Sequence, residues 1–231
     1  MKKILYSFLV CLLFIFTSCE KDTQDTSKIT YYVTYDIKGG KTFLVPVGTS
    51  YVEPGVIAME GDKDVTSSMK TTGTVDANKI GVYPVTYSAV NVDGFASSEI
   101  RTVVVYDPAI KTDISGKYTL AGTSYRLRAG AKVPFSGYPV DIEKVAPGVF
   151  AVSDFFGGYY DKKAAYGSSY AMTGYVSLKS DNTLEVLSSK IAGWGDSLDT
   201  LDNGIFNAAT NSIHWEASYA GSMTFFVDLN K

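Results

Sequence analysis

The sequence predicts an all-β protein of two units in tandem: a small β-sandwich, then an antiparallel β-barrel or flattened β-sandwich. Three observations carry this expectation. Period-two runs recur between turn signals, as in residues 29–37 before Gly39-Gly40, 83–90 before Asn91-Val92-Asp93-Gly94, and 100–106 before Asp107-Pro108. No stretch sustains helical periodicity for three turns. The composition leans the same way, with 17 Tyr and 12 Phe beside plentiful Val and Thr, residues suited to a half-buried pleated surface.

Along the chain, Lys2 and Lys3 precede an apolar run over residues 4–16, the charged and apolar regions of a secretory signal. That run is too short to cross a hydrocarbon core, which needs roughly 20 apolar residues. Phe16-Thr17-Ser18-Cys19 resembles a bacterial lipobox. The resemblance implies that residues 1–18 are a lipoprotein signal peptide, that Cys19 is lipidated and that 19–28 form a tether. More than one acyl chain anchors stably where a single chain does not. Cys19-Glu20-Lys21-Asp22 is similar to the acidic, lysine-containing export tag of Bacteroidetes surface lipoproteins. It implies an outer-membrane, lipid-anchored protein exposed at the cell surface.

Charge and cysteine content narrow the function classes. Of 21 Lys and Arg against 24 Asp and Glu, Lys2 and Lys3 leave with the signal, so the mature chain is acidic. No basic patch stands out, and nucleic acid is not an expected partner, because such binding rests on neutralising phosphates. Cys11 leaves with the signal and Cys19 is taken by lipid, so no disulfide is expected although the compartment permits one. Packing alone must hold both units.

Residues 29–107 form the first unit. Val47-Gly48-Thr49-Ser50-Tyr51-Val52-Glu53-Pro54-Gly55-Val56 is followed by Asp64-Val65-Thr66, then by Gly81-Val82-Tyr83-Pro84-Val85-Thr86-Tyr87 and Asn91-Val92-Asp93-Gly94-Phe95-Ala96. This series resembles the bacterial immunoglobulin-like domain found in some insecticidal crystal toxins and in Bacteroidetes surface lipoproteins. The resemblance implies a seven-stranded, disulfide-free sandwich serving as spacer or adhesion module, with no catalytic residues. Asp93-Gly94 is a hairpin signal, since glycine accepts the positive φ such turns require. Asp62, Asp64, Asp76 and Asp93 read as turn formers, with calcium ligation the lesser alternative.

Residues 108–112 read as a linker, because Pro108 cannot donate to a ladder and forces Asp107 to be extended. Residues 113–231 form the second unit, expected as a meander of about eight strands. Strand-like runs lie at 140–145, 149–153, 175–178, 184–187, 213–219 and 223–229, with turns at Pro147-Gly148, Ser180-Asp181-Asn182 and Asp202-Asn203-Gly204. Ser153-Asp154-Phe155-Phe156-Gly157-Gly158-Tyr159-Tyr160, Gly193-Trp194-Gly195-Asp196 and the terminal Phe226-Val227-Asp228-Leu229 resemble the C-terminal domain of small two-domain Bacteroidetes lipoproteins. That resemblance implies a place beside polysaccharide-utilisation systems and other outer-membrane glycan-uptake proteins, but no mechanism.

Catalytic patterns are missing from the sequence. G-x-S-x-G, H-E-x-x-H and a phosphate loop do not occur. The single histidine, His214, between Ile213 and Trp215, reads as a strand-face residue, and Trp215 as core. Loop aspartates (Asp154, Asp161, Asp196, Asp199, Asp202) could be imagined as a glycosidase pair or calcium ligands, yet such residues mostly accept backbone N–H bonds at turns. Neither a cofactor nor enzyme activity is expected.

Aromatic residues in Gly-rich loops are the stronger candidate. Sugars offer C–H faces that stack on rings and hydroxyls that need polar partners. Trp194, Tyr159 and Tyr160 supply rings, and Asp196 and Asp154 supply acceptors, giving the candidate glycan contacts. The leading expectation is a surface glycan-binding or accessory lipoprotein with an oligo- or polysaccharide ligand. The alternatives are an adhesion protein working through protein contacts and, more weakly, a carbohydrate-active enzyme.

Overall fold

The computed structural model describes residues 29–231. The lipidation expected at Cys19, the signal peptide and the tether lie outside the described residues.

The first seven strands form two facing sheets. Strands β1 (Val33–Ile37), β3 (Val56–Glu60) and β4 (Lys63–Asp64) make one, in the order β1-β3-β4. Strands β2 (Thr42–Pro46), β5 (Lys70–Thr72), β6 (Gly81–Val90) and β7 (Ala96–Tyr106) make the other, in the order β2-β7-β6-β5. Strand β2 runs parallel to β7, an arrangement that closes the sandwich edge without a hairpin. Alternate residues Val85, Tyr87 and Ala89 of β6 point inward, and Val103 and Val105 of β7 meet them.

Arg101 interrupts this apolar pattern. It is fully buried, yet all of its nitrogens face oxygen. Nε donates to the Tyr87 hydroxyl at 3.0 Å, Nη1 to the Gly40 carbonyl at 3.1 Å and Nη2 to the Lys38 carbonyl at 2.7 Å. Glu53 supplies the counter-charge at 3.0 Å. Burial pushes the Glu53 carboxyl up, but hydrogen bonds from Tyr51, Tyr87 and the Gly55 N–H, with the Arg101 charge, hold it below the usual carboxylate range. This polar knot ties β7 to the β1–β2 turn and to the segment before β3.

The second unit has ten strands where about eight are expected. Strand β8 (Gly116–Leu120) pairs with β11 (Pro139–Ala146), and the meander continues through β12 (Val149–Val152), β13 (Met172–Leu178) and β14 (Leu184–Ile191). Strands β15 (Thr200–Asn207), β16 (Ser212–Tyr219) and β17 (Met223–Asn230) complete the wall, and β17 returns to β8. Between β14 and β15 only the Thr183–Ile205 bridge closes the seam, so the wall is a barrel with one loose edge.

Two strand assignments differ from the sequence reading. The hairpin β9 (Tyr125–Arg128) and β10 (Ala131–Pro134) is added to β17 outside the meander. Its arginines and lysine hide the apolar alternation that would announce a strand. Asp202-Asn203-Gly204, expected as a turn, lies within β15, where the register shifts in a bulge and Asn203 takes φ 53°.

The barrel interior is aromatic: Trp215, Phe150, Phe155, Phe156 and Phe225 are fully buried. A smaller apolar contact joins the units, with Val82, Val104 and Tyr106 of the sandwich against Ala146, Val149 and Leu187 of the barrel. Beside it runs a groove of about 650 Å³, whose walls include Lys79, Tyr83, Lys179 and Glu185. Among the described residues no helix is long and apolar enough to cross a membrane.

Candidate functional site

The segment after β12 builds the site by folding back on one carboxylate. Asp154 accepts the N–H groups of Phe156 at 2.8 Å, Gly158 at 2.9 Å and Met172 at 3.1 Å. Gly157 and Gly158 both take positive φ, and a Cβ on either would come within 2.7 Å of Leu120 or Tyr138. The resulting turn throws Phe155 and Phe156 into the barrel. Phe155 meets Trp215 edge-on at 5.7 Å, and its carbonyl accepts the Trp215 indole N–H at 2.9 Å.

Asp154 is therefore a loop organiser with no face open to a ligand, and its expected role as a glycan contact is corrected. Burial pushes its carboxyl up to about 7, outweighing the three N–H donors that favour the charged form.

A single π-helical turn, Tyr159–Lys163, follows. Tyr159 points into the core, edge-on to Phe135 at 5.1 Å, with the Arg126 guanidinium 4.9 Å from its ring centroid. Tyr160 is also buried, and its ring stands edge-on to Trp194 at 4.9 Å. The expectation that Tyr159 and Tyr160 present open faces beside Trp194 is corrected as well. Tyr159 is core, and Tyr160 is the floor beneath the exposed rings.

Those exposed rings come from two connections, β12–β13 and β14–β15. Trp194 is 41 % and Tyr166 55 % exposed, with Tyr170 half-buried between them. Tyr170 lies 4.9 Å from Trp194 and 5.5 Å from Tyr166. Gly193 makes the approach possible. Its N–H donates to the Ser169 carbonyl at 2.7 Å, and a Cβ there would lie 2.6 Å from the Tyr170 ring. Gly195, at φ 81°, turns the chain so that Asp196 returns to the wall.

There Asp196 accepts the Tyr219 hydroxyl at 2.8 Å, while its residue remains exposed. Burial, and then Asp196, push the Tyr219 hydroxyl well above the ordinary tyrosine range, so it stays a donor. Tyr219 in turn stacks on Trp194 at 6.3 Å with the rings 15° apart. Trp194 and Asp196 are linked here through Tyr219, a residue the sequence does not single out. Tyr166 and Tyr170, from the β12–β13 connection, complete the cluster.

The remaining chemistry-bearing groups have partners of their own. His214 projects from the outer face of β16, its Nδ1 2.6 Å from Asp228 Oδ1, and Glu216 lies 3.9 Å from its other nitrogen. Asp161 pairs with Lys162 at 3.0 Å, and Asp199 accepts the Gly221 N–H at 2.7 Å. Among the described residues no group of three or more His, Cys, Asp or Glu is placed to hold a metal ion.

Comparisons with known proteins place the chain. Residues 35–105 match the family model described as bacterial surface protein, Ig-like domain. Residues 107–231 match a second family model, which describes a C-terminal domain. Among solved structures, the lipoprotein BT2262 from Bacteroides thetaiotaomicron is 40% identical, with 87% of this chain and 100% of that chain covered and a TM-score of 0.50. A Clostridium perfringens structure, CBM51-2 in complex with GlcNAc and INT domains from ZmpB, shares 15% identity over 52% of this chain and 29% of that one, at a TM-score of 0.29. A Bacteroides ovatus protein of unknown function shares 12% over 77% and 67%, at 0.28. Both are too distant to carry an argument. No curated protein matches. The domain match and the lipoprotein relative give the chain a place in the bacterial cell envelope, and it belongs to the same family as the Bacteroides lipoprotein, an Ig-like surface domain leading into an all-β C-terminal domain.

Proposed function

We propose that the protein is a lipid-anchored, surface-exposed glycan-binding accessory protein of a polysaccharide-utilisation system. In this reading Trp194, Tyr166 and Tyr170 form a stacking platform, and Asp196 accepts sugar hydroxyls at its edge. The observation that carries the reading is the exposure of Trp194 and Tyr166 above a rigid aromatic floor. A core ring would have sunk into the barrel, as Trp215 does. Large rings left in solvent beside a polar acceptor fit a ligand with apolar faces and a hydroxylated rim.

Affinity electrophoresis and glycan arrays on the mature chain test this directly. Binding to at least one polysaccharide, weakened by Trp194→Ala and by Asp196→Asn, is the expected result. Flat responses across plant, host and microbial glycans would leave adhesion through protein contacts as the better account. The anchor is tested separately. Cys19→Ala should abolish labelling by a clickable palmitate and release the protein from membranes. Changing Lys21 and Asp22 should hide the protein from protease added to intact cells. Copurification with outer-membrane glycan-uptake proteins tests the accessory role.

A further inference from the structure

Strands β6 and β7 span the sandwich from end to end. Their Val82 and Val104 positions lie against the barrel, so the turn that joins them, residues 91–95, stands at the opposite end. Ten residues of extended strand place it roughly 30 Å from the junction. That end is unusually apolar. Ile29, Tyr31, Tyr32, Val90, Val92 and Phe95 are all exposed there, Ile29 by 71% and Val92 by 70%.

These side chains form one patch rather than scattered points. Tyr32 and Phe95 lie 5.6 Å apart, and the Tyr31 ring covers Gly61, where a Cβ would come within 3.3 Å. Asn91 holds the patch in shape. Its Nδ2 donates to the Tyr31 carbonyl at 2.8 Å, and its Oδ1 accepts the Phe95 N–H at 2.7 Å. The Val92 N–H donates to Glu60 at 3.0 Å, so the Val92 side chain is propped outward on a fixed turn. Asp62 stands in the neighbouring turn, Lys63 opens β4 and the half-buried Asp93 lies in the 91–95 turn itself, so charges of both signs border the apolar side chains.

The chain enters the fold at this same end. From Cys19 to Ile29 there are ten peptide links, which reach at most about 35 Å. An acylated Cys19 therefore keeps this end of the sandwich within about 35 Å of the bilayer, nearer in chain length than any other described part. Apolar side chains flanked by tyrosines, whose rings are apolar and whose hydroxyls remain wet, suit the boundary between headgroups and acyl chains.

We propose that this end of the sandwich is a lipid-contacting surface, with Ile29, Tyr31, Tyr32, Val92 and Phe95 seated in the headgroup–acyl boundary. The inference rests on the lipid anchor at Cys19. It also orients the binding site. Strand β14 runs away from the junction, where Leu187 sits, toward Ile191, so Trp194 is carried to the far end of the barrel, away from the membrane.

The test uses the acylated protein in vesicles of phosphatidylethanolamine and phosphatidylglycerol. A nitroxide is placed by Val92→Cys or, as a control on an exposed barrel turn, by Ala208→Cys. Collision with lipid-soluble oxygen should exceed collision with a water-soluble nickel chelate several-fold at 92, with the order reversed at 208. Water-like accessibility at both positions would overturn the proposal. So would a shielded label at 92 with a second label at short distance, because that outcome means a second copy covers the patch. Flotation and palmitate labelling of the unsubstituted chain read the anchor independently. A chain that is not acylated removes the basis of the inference, whereas an acylated chain with a wet label at 92 defeats the lipid contact alone.

Discussion

Among the described residues the sandwich buries one arginine and the barrel one aspartate, and they treat the two in opposite ways. Arg101 in the sandwich meets a counter-charge, a hydroxyl and backbone carbonyls, so its charge is compensated from several sides. Asp154 in the barrel meets three N–H groups and no cation, and burial pushes it up to about 7. The difference teaches what each unit lacks. The sandwich has a thin core of valines and alanines, and its polar knot links segments that the core does not reach. The barrel has a dense aromatic core and uses its carboxylate locally, to shape one turn.

That comparison can be broken by substitution. The largest effect is expected at Trp215→Ala, which should destabilise the barrel by about 3–5 kcal/mol in chemical denaturation, through a cavity and a lost indole bond to the Phe155 carbonyl. The sandwich transition should not move. A coupled loss of both transitions would show that the units do not melt separately.

Arg101→Met comes next, at about 3 kcal/mol or more, because it strips donors from carbonyls and leaves Glu53 without its cation. The loss should appear in the sandwich alone. If the variant is as stable as the parent, apolar packing can replace the knot and the contrast between the units disappears.

Asp154→Asn sharpens the comparison through pH. The folded carboxyl titrates near 7 against an ordinary 3.8, so between those values the folded chain holds more protons than the unfolded chain. Stability from this group is therefore greatest at low pH and falls as pH rises through that window. The variant is expected to melt lower at every pH, because an amide NH₂ must face one of the backbone donors. The gap between parent and variant should narrow from pH 4 to pH 7. A gap that widens would mean the carboxylate is charged throughout.

The smallest stability effect is expected at Trp194→Ala, about 1 kcal/mol or less, since the ring is two-fifths exposed. Its effect on glycan affinity should be larger, about 1–3 kcal/mol, as for an aromatic contact at a binding site. Thermal melts beside affinity electrophoresis separate the two. Trp194 and Trp215 thus form a pair within one barrel, one expected to fail in binding and the other in folding.

Alternation and turn chemistry made the all-β class and the Ig-like resemblance legible, because both follow from local residue order. The strands of β6 and β7 are long, regular and flanked by Asp-Gly and Asp-Pro, and they were readable for that reason. The β9–β10 hairpin was not, since Arg126, Arg128 and Lys132 mask its alternation. Arg101 was equally silent, because a charge in a strand normally marks the solvent face.

The run Ser153-Asp154-Phe155-Phe156-Gly157-Gly158-Tyr159-Tyr160 shows the limit most clearly. Its composition determined by itself that a tight, aromatic-rich turn stands there, because paired glycines permit positive φ and rings seek burial or partners. Which rings reach solvent was a tertiary decision. Tyr159 and Tyr160 are adjacent to two buried phenylalanines and lie under the roof made by Arg126 and Trp194, elements 33 and more residues away in the chain. Exposure depends on what other segments cover, and no local pattern encodes that. Trp194 stays outside because Gly193 and Gly195 lift its loop over Tyr170 and Tyr219, while Trp215 and the other buried rings fill the barrel interior.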